Sequence, residues 1–173
     1  MHDILLVLPP VGPTYIYSRP RGWFKQNDFE NYKWILRLTR VPQGLLSIGT
    51  VLDAAGYKVK IADCRLHLNN VEDYLEDLLK STRLFVGISC LTMQIQSALG
   101  ISNIARRVNP DLPVVWGGYH PTLYPEQTVR DELVDYVVVG EGEEPLLKFT
   151  ESLENSLWNT KENGKKHSNI LAD

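Results

Sequence analysis

Residues 114–127 read VVWGGYHPTLYPEQ: an apolar run ends in two adjacent glycines, followed by a histidine, a proline and a threonine. A short, β-branched apolar run stopped by glycine has the signature of a buried strand. Paired glycines directly behind a strand do one of two things. They make a tight strand-to-helix turn, or they leave backbone bare for something that must come very close. Which of these holds at Gly117 and Gly118 depends on the segments around them.

The same grammar recurs along the chain. ILLVL (4–8), KVKIAD (58–63), LFVGIS (84–89), PVVWGG (113–118) and DYVVVG (135–140) read as five strands, each bounded by Gly, Pro, Asp or Ser. Helical periodicity fills the gaps. Residues 43–55 place Leu45, Ile48, Leu52 and Ala55 on one face, with Pro42 near the start and Gly56 just past the end. Residues 71–80 carry Val71, Tyr74, Leu75, Leu78 and Leu79 at helical spacing behind Asn70, an N-cap residue type. Further helices are expected over 93–108, 125–133 and from about Pro145 to Leu153. Strict strand–helix alternation implies an α/β fold, a five-stranded parallel sheet with helices on both faces. The expected topology is flavodoxin-like (Rossmann-like), order 2-1-3-4-5, with ligands bound at the carboxyl ends of the strands near the switch point.

Composition sets outer bounds. The 173 residues are 43% hydrophobic and 23% charged, enough for one domain with a full core. A net charge of −3 and a pI near 5.8 argue against nucleic acid as a partner. No apolar run is long enough to span a membrane, and MHDILLVLPP lacks the basic start and cleavage site of a signal peptide. Two isolated cysteines, Cys64 and Cys90, give no disulfide framework, so a cytoplasmic location is expected.

Two segments break the alternation. Residues 9–41 form a long insertion after the first strand, rich in aromatics (Tyr15, Tyr17, Trp23, Phe24, Phe29, Tyr32, Trp34) and in arginine. Loops of this length inside a domain are functional or disordered, and the aromatic density argues for function. Residues 154–173 are polar and without periodicity, as a linker or tail is.

The strand ends carry the candidate site. Ser89, Leu91 and Thr92 follow the third strand, Gly117, Gly118, His120 and Pro121 the fourth, and Gly140, Glu141 and Gly142 the fifth. Small residues and hydroxyls on adjacent loops suit a flat heterocycle lying against bare backbone. Each feature also has an ordinary structural role. The glycines make a turn, Ser89 and Thr92 are turn and cap residues, His120 is a turn histidine, Cys90 packs, and Glu141, Glu143 and Glu144 complement a helix dipole. Catalytic motifs are missing: there is no dinucleotide fingerprint after ILLVL, no P-loop lysine, no zinc spacing and no activated nucleophile. Nor do Asp3 and Asp63 build the acidic pocket of a phospho-receiver. A binding module is favoured over a self-sufficient enzyme.

In combination these loops resemble a known family. PPVGP, VPQGLLSIGTVLDAAGYKVKIAD, FVGISCLTMQIQSAL, VVWGGYHPTLYPEQ and VDYVVVGEGEEPL occur in the order and spacing of the cobalamin-binding domain that precedes the catalytic core of many radical SAM enzymes. That family includes methyltransferases and the anaerobic Mg-protoporphyrin ester cyclase. The resemblance covers residues 3–153 and implies a cobalamin-binding domain over 1–153, with 154–173 leading toward a separate core. It implies that the benzimidazole tail inserts between the Ser89-Cys90-Leu91 loop and Gly117–Gly118. Ser89 would then bond near the tail, and Leu91 would pack on it. Thr92, His120, Pro121 and the Gly140-Glu141-Gly142 loop would line the corrin edge or nucleotide loop.

Two departures qualify it. Some cobalamin domains carry Asp-x-His-x-x-Gly after the first strand, and that histidine ligates cobalt; here the loop opens LPPVGP, so base-off cobalamin without a protein histidine is implied. The radical SAM core needs Cys-x3-Cys-x2-Cys, which two cysteines cannot provide, so S-adenosylmethionine and the 4Fe-4S cluster belong to the separate core. The chain alone is then expected to be non-catalytic, with no metal ligands of its own, and its partner is that core. The alternative is a flavodoxin-like regulatory or protein-interaction module without cobalamin.

Overall fold

A computed structural model describes residues 1–10, 41–67, 70–158 and 170–172. In chain order the elements are β1 (His2–Leu8), α1 (Gln43–Ala54), β2 (Val59–Asp63), α2 (Val71–Lys80), β3 (Thr82–Ser89), α3 (Ile95–Val108), β4 (Val114–Gly117), α4 (Tyr119–Leu123), α5 (Pro125–Thr128), β5 (Tyr136–Val138), α6 (Glu143–Trp158) and β6 (Ile170–Leu171). Short 3-10 turns span Cys64–Leu66 and Thr92–Gln94. The sheet order is β2-β1-β3-β4-β5-β6, with every pairing parallel. The expected 2-1-3-4-5 order is therefore present. The sixth strand, Ile170 and Leu171 against Val137 and Val138, was not anticipated, because two residues carry no period.

The strands read as continuous apolar runs because both faces of the sheet are covered. Leu5, Val7, Val86, Ile88, Val114, Trp116 and Val137 pack on one face with Val71, Leu75 and Leu79 of α2 and Ala98, Ile101 and Ala105 of α3. Ile4, Leu6, Phe85, Val115 and Val138 pack on the other with Leu45 and Leu52 of α1 and Leu146 and Phe149 of α6. Each fully buried leucine or isoleucine contributes about 1.5–3 kcal/mol. The one polar atom of the Trp116 side chain is satisfied: its indole N–H donates to Ser102 Oγ at 2.9 Å. At the amino edge of the sheet, Arg83 holds Asp3 and Glu154, both at 2.7 Å, and Tyr57 donates to Glu154, pinning α6 under β1 and β3.

Several local expectations change. The inward face of α1 is Leu45, Gly49 and Leu52, with Ile48 half-buried and Ala55 exposed. Asn70 stands at the N-cap of α2, but its side chain makes no capping bond. The helix expected from residue 93 begins at Ile95, behind the 3-10 turn. The helix expected over 125–133 is only Pro125–Thr128, and a separate helix, α4, precedes it. Tyr124 separates the two at φ −133°, ψ 57°, because a residue before proline is pushed out of the helical region. The last helix starts at Glu143 and runs on to Trp158, past the expected end. Of the 9–41 insertion, residues 11–40 lie outside the described residues, as do 159–169 of the expected tail.

Candidate functional site at the carboxyl edge of the sheet

Side chains alternate along a strand, so every second residue shares a face. Phe85 faces α1 and α6; Gly87 and Ser89 follow it on that face. Val115 faces the same way, and Gly117 follows it. The β3–β4 register sets Ser89 beside Gly117 and Gly87 beside Val115. Three small residues of the two central strands thus lie beneath α1 and α6. Sequence reasoning missed Gly87, although its spacing of two from Ser89 is visible. A side chain at Gly87 would meet Leu6 Cδ2 at 2.9 Å, so Leu6 already covers it. One at Gly117 would meet only Val138 Cβ, at 3.6 Å. Ser89 is half-buried, and its hydroxyl has no hydrogen-bond partner among the described residues.

The paired glycines turn out to have different jobs. Gly118 has φ +95°, and a Cβ there would sit 3.1 Å from both Cys90 N and Cys90 O and 3.2 Å from Ser89 Oγ. It is a turn glycine. The loops behind β3 and β4 are tied edge to edge: Cys90 N–H donates to the Gly117 carbonyl at 2.8 Å, and His120 N–H to the Cys90 carbonyl at 3.0 Å. Gly117, by contrast, leaves backbone bare on the α1/α6 face.

The remaining candidates spread around this rim. Leu91 is 38% exposed and Thr92 is exposed, opening the 3-10 turn rather than capping it. His120 is buried; its Nδ1 lies 3.3 Å from Thr92 Oγ1 and its ring 5.4 Å from that of Tyr124. Burial holds its pKa below the ordinary value, which favours the neutral ring. Pro121 is buried beside it. Gly140, at φ +79°, donates its N–H to Thr122 Oγ1, which joins the β4 and β5 loops. Glu141 is exposed. Gly142 is buried where a Cβ would stand 2.7 Å from Ile48 Cδ1, so it lets α1 close onto the start of α6. Ser47 Oγ donates to Glu143 Oε1 at 2.5 Å across the same junction. Leu66, Met93, Tyr119, Leu123 and Tyr124 are exposed at or just beyond these strand ends, an apolar rim of the kind that meets a ligand or another domain.

A buried side chain outside the candidate set also serves this edge. Gln94 is 2% exposed; its Nε2 donates to the Pro9 carbonyl at 2.6 Å, and its Oε1 accepts from Leu91 N–H at 3.0 Å. A glutamine in a polar-looking turn gives no sequence signal of such burial.

Neither cysteine near the rim is an activated nucleophile. Burial pushes both thiols, Cys64 and Cys90, up to about 12. Among the described residues no cluster of three His, Cys, Asp or Glu could hold a metal ion. No described helix is long and apolar enough to cross a membrane.

The profile of the B12 binding domain matches residues 38–150. The chain belongs to the B12-binding domain family. This B12-binding domain is similar to the corresponding module of radical SAM methyltransferases. It is 29% identical over 151 residues to an uncharacterized methyltransferase of Pyrococcus horikoshii, covering 87% of this chain and 29% of that protein. It is 36% identical over 70 residues to the anaerobic magnesium-protoporphyrin IX monomethyl ester cyclase of Rubrivivax gelatinosus, covering 40% of this chain and 13% of the cyclase. Its fold matches the radical S-adenosylmethionine methyltransferase TsrM of Kitasatospora setae, solved with cobalamin and a [4Fe-4S] cluster. The TM-score is 0.65 at 18% identity, over 90% of this chain and 25% of TsrM. The domain thus spans less than a third of each of these relatives.

Proposed function

We propose that this domain holds base-off cobalamin, with the nucleotide tail laid against Ser89 and Gly117 beneath α1 and α6 and the corrin over the apolar rim. The observation that carries the proposal is the Ser89 hydroxyl, without a hydrogen-bond partner among the described residues, next to the bare backbone of Gly117. A flat, partly polar ring fits that surface: it gains contact with the glycine backbone and one hydrogen bond from Ser89. Leu91 and Thr92, at the rim, contact the corrin side, and Gly118 keeps the two loops locked while the ligand binds. Glu141, Glu143 and Glu144 set carboxylates at and before the first turn of α6, which disfavours an anionic ligand group at that helix start.

Bound cobalamin supplies a cobalt centre able to accept and pass on a methyl group. The chain's own residues hold and orient it. His120 Nδ1 lies 3.3 Å from Thr92 Oγ1 with its ring against Tyr124, and the His67 ring stacks on Tyr74 at 3.6 Å; in this reading neither histidine would ligate cobalt. The partner in this account is a radical SAM core holding S-adenosylmethionine and a 4Fe-4S cluster, and the whole enzyme is a cobalamin-dependent methyltransferase or cyclase.

The test mixes the protein with hydroxocobalamin, removes free ligand by desalting, and records the visible spectrum beside that of Gly117→Trp. Retained cobalamin with a base-off spectrum, lost in the variant, supports the proposal. A base-on spectrum, equal retention by the variant, or no retention by the parent chain contradicts it.

A further inference from the structure

We infer that Gln94 is a positioning residue for the ligand: it sets the gap between the β1 and β3 loops and fixes Leu91 at the mouth of the site. The inference rests on the cobalamin reading above. β1 and β3 are neighbours whose connections leave on opposite faces of the sheet, α1 on one and α3 on the other, so their exit loops diverge at this point. Beyond Leu8 and Ser89 the ladder stops, and the Pro9 carbonyl and the Leu91 N–H have no strand partner. The Gln94 amide bridges them, donating to one at 2.6 Å and accepting from the other at 3.0 Å. Its own backbone N–H also returns to the Leu91 carbonyl at 2.8 Å. Residue 94 therefore grips Leu91 by both peptide groups, and the next residue, Thr92, reaches His120. No other side-chain hydrogen bond among the described residues joins the β1 loop to the β3 loop.

Only a group that donates on one side and accepts on the other can make this bridge. A carboxylate cannot, because it would set an anionic oxygen against the Pro9 carbonyl. A protonated carboxyl can, with O–H toward Pro9 and C=O toward Leu91. Burial favours the protonated form of such a group and raises its pKa.

The experiment measures hydroxocobalamin affinity and dissociation rate for the parent chain, Gln94→Met and Gln94→Glu from pH 5 to 8, with thermal unfolding at each pH. Each variant is expressed as a ratio to the parent chain at the same pH, which removes contributions shared by His120, Asp63, Glu141, Glu143 and the two thiols. Gln94→Met is expected to release the ligand at least tenfold faster at every pH while remaining folded. Gln94→Glu is expected to match the parent within about twofold at pH 5 and to lose tenfold or more by pH 8. A flat Gln94→Glu ratio across the range, or a Gln94→Met variant that is folded and binds like the parent, overturns the inference. If Gln94→Met does not fold, the Gln94→Glu ratio alone decides. Failure of the parent chain itself to bind is a different result and counts against the cobalamin reading.

Discussion

Ser89 and Gly117 stand opposite each other in the parallel β3–β4 ladder, on the face that α1 and α6 cover. A half-buried hydroxyl without a partner among the described residues therefore lies beside a residue with no side chain. On the other side of the switch point β2 ends in Asp63, whose carboxylate is already bound to Arg65 at 2.6 Å.

The two glycines of the opening motif separate by substitution. Gly118→Ala places a Cβ at positive φ and 3.1 Å from the Cys90 backbone, and is expected to cost about 1–3 kcal/mol. Gly117→Ala meets only Val138 at ordinary contact distance and is expected to stay within about 1 kcal/mol of the parent. Urea unfolding of the two variants measures the difference; equal destabilisation would contradict the assignment of separate roles.

Stability should fall on mild acidification. Burial lowers the pKa of His120, so the unfolded chain, with a histidine near 6.5, binds the proton more readily than the folded one. This contribution is full above about pH 6.5 and is lost as the pH drops from there toward the folded-state value. His2 shifts the same way, through burial first and then the N-terminal ammonium and Lys60. Replacing His120 with Gln should shrink the loss without abolishing it, as read from thermal unfolding between pH 7.5 and 5.

A second acid-sensitive element lies at the opposite edge. Burial pushes the Asp3 carboxyl up, but the Lys58 N–H bond and the Arg83 guanidinium outweigh it and hold the pKa below 3.8. Asp3 therefore stabilises the fold above about pH 4, and that contribution disappears as the pH falls through the lower folded-state value. Arg83→Ala also releases Glu154 and, for a partly exposed pair, should cost about 0.5–1 kcal/mol near neutrality, with a smaller loss in strong acid. An undiminished effect at pH 2 would contradict this.

The cysteines should be inert in the native state. With both thiols buried and pushed up to about 12, neither should react with a disulfide reagent at pH 8 until the chain unfolds. Labelling with and without urea measures it.

Strand–helix alternation made the sheet order legible, since each apolar run is buried on both faces and bounded by turn residues. Short elements were less so. Helix α4 is five residues set by Gly118 and Pro125, and β6 exists only through its pairing with β5. The candidate site was legible as a cluster of small residues behind β3 and β4, but not in the structural role of each residue. Gly142 serves helix packing against Ile48, Gly118 serves the turn, and the burial of Gln94 is a tertiary fact. Adjacent glycines look alike in sequence, and only the sheet face and the sign of φ tell Gly117 from Gly118.

The central claim is that the nucleotide tail lies against Gly117. Its most direct test compares the affinities for hydroxocobalamin and for cobinamide, which lacks the tail, in the parent chain and in Gly117→Phe. The account predicts that the parent chain prefers cobalamin by tenfold or more and that Gly117→Phe binds both equally. The same preference in both proteins, or none in the parent chain, would contradict it.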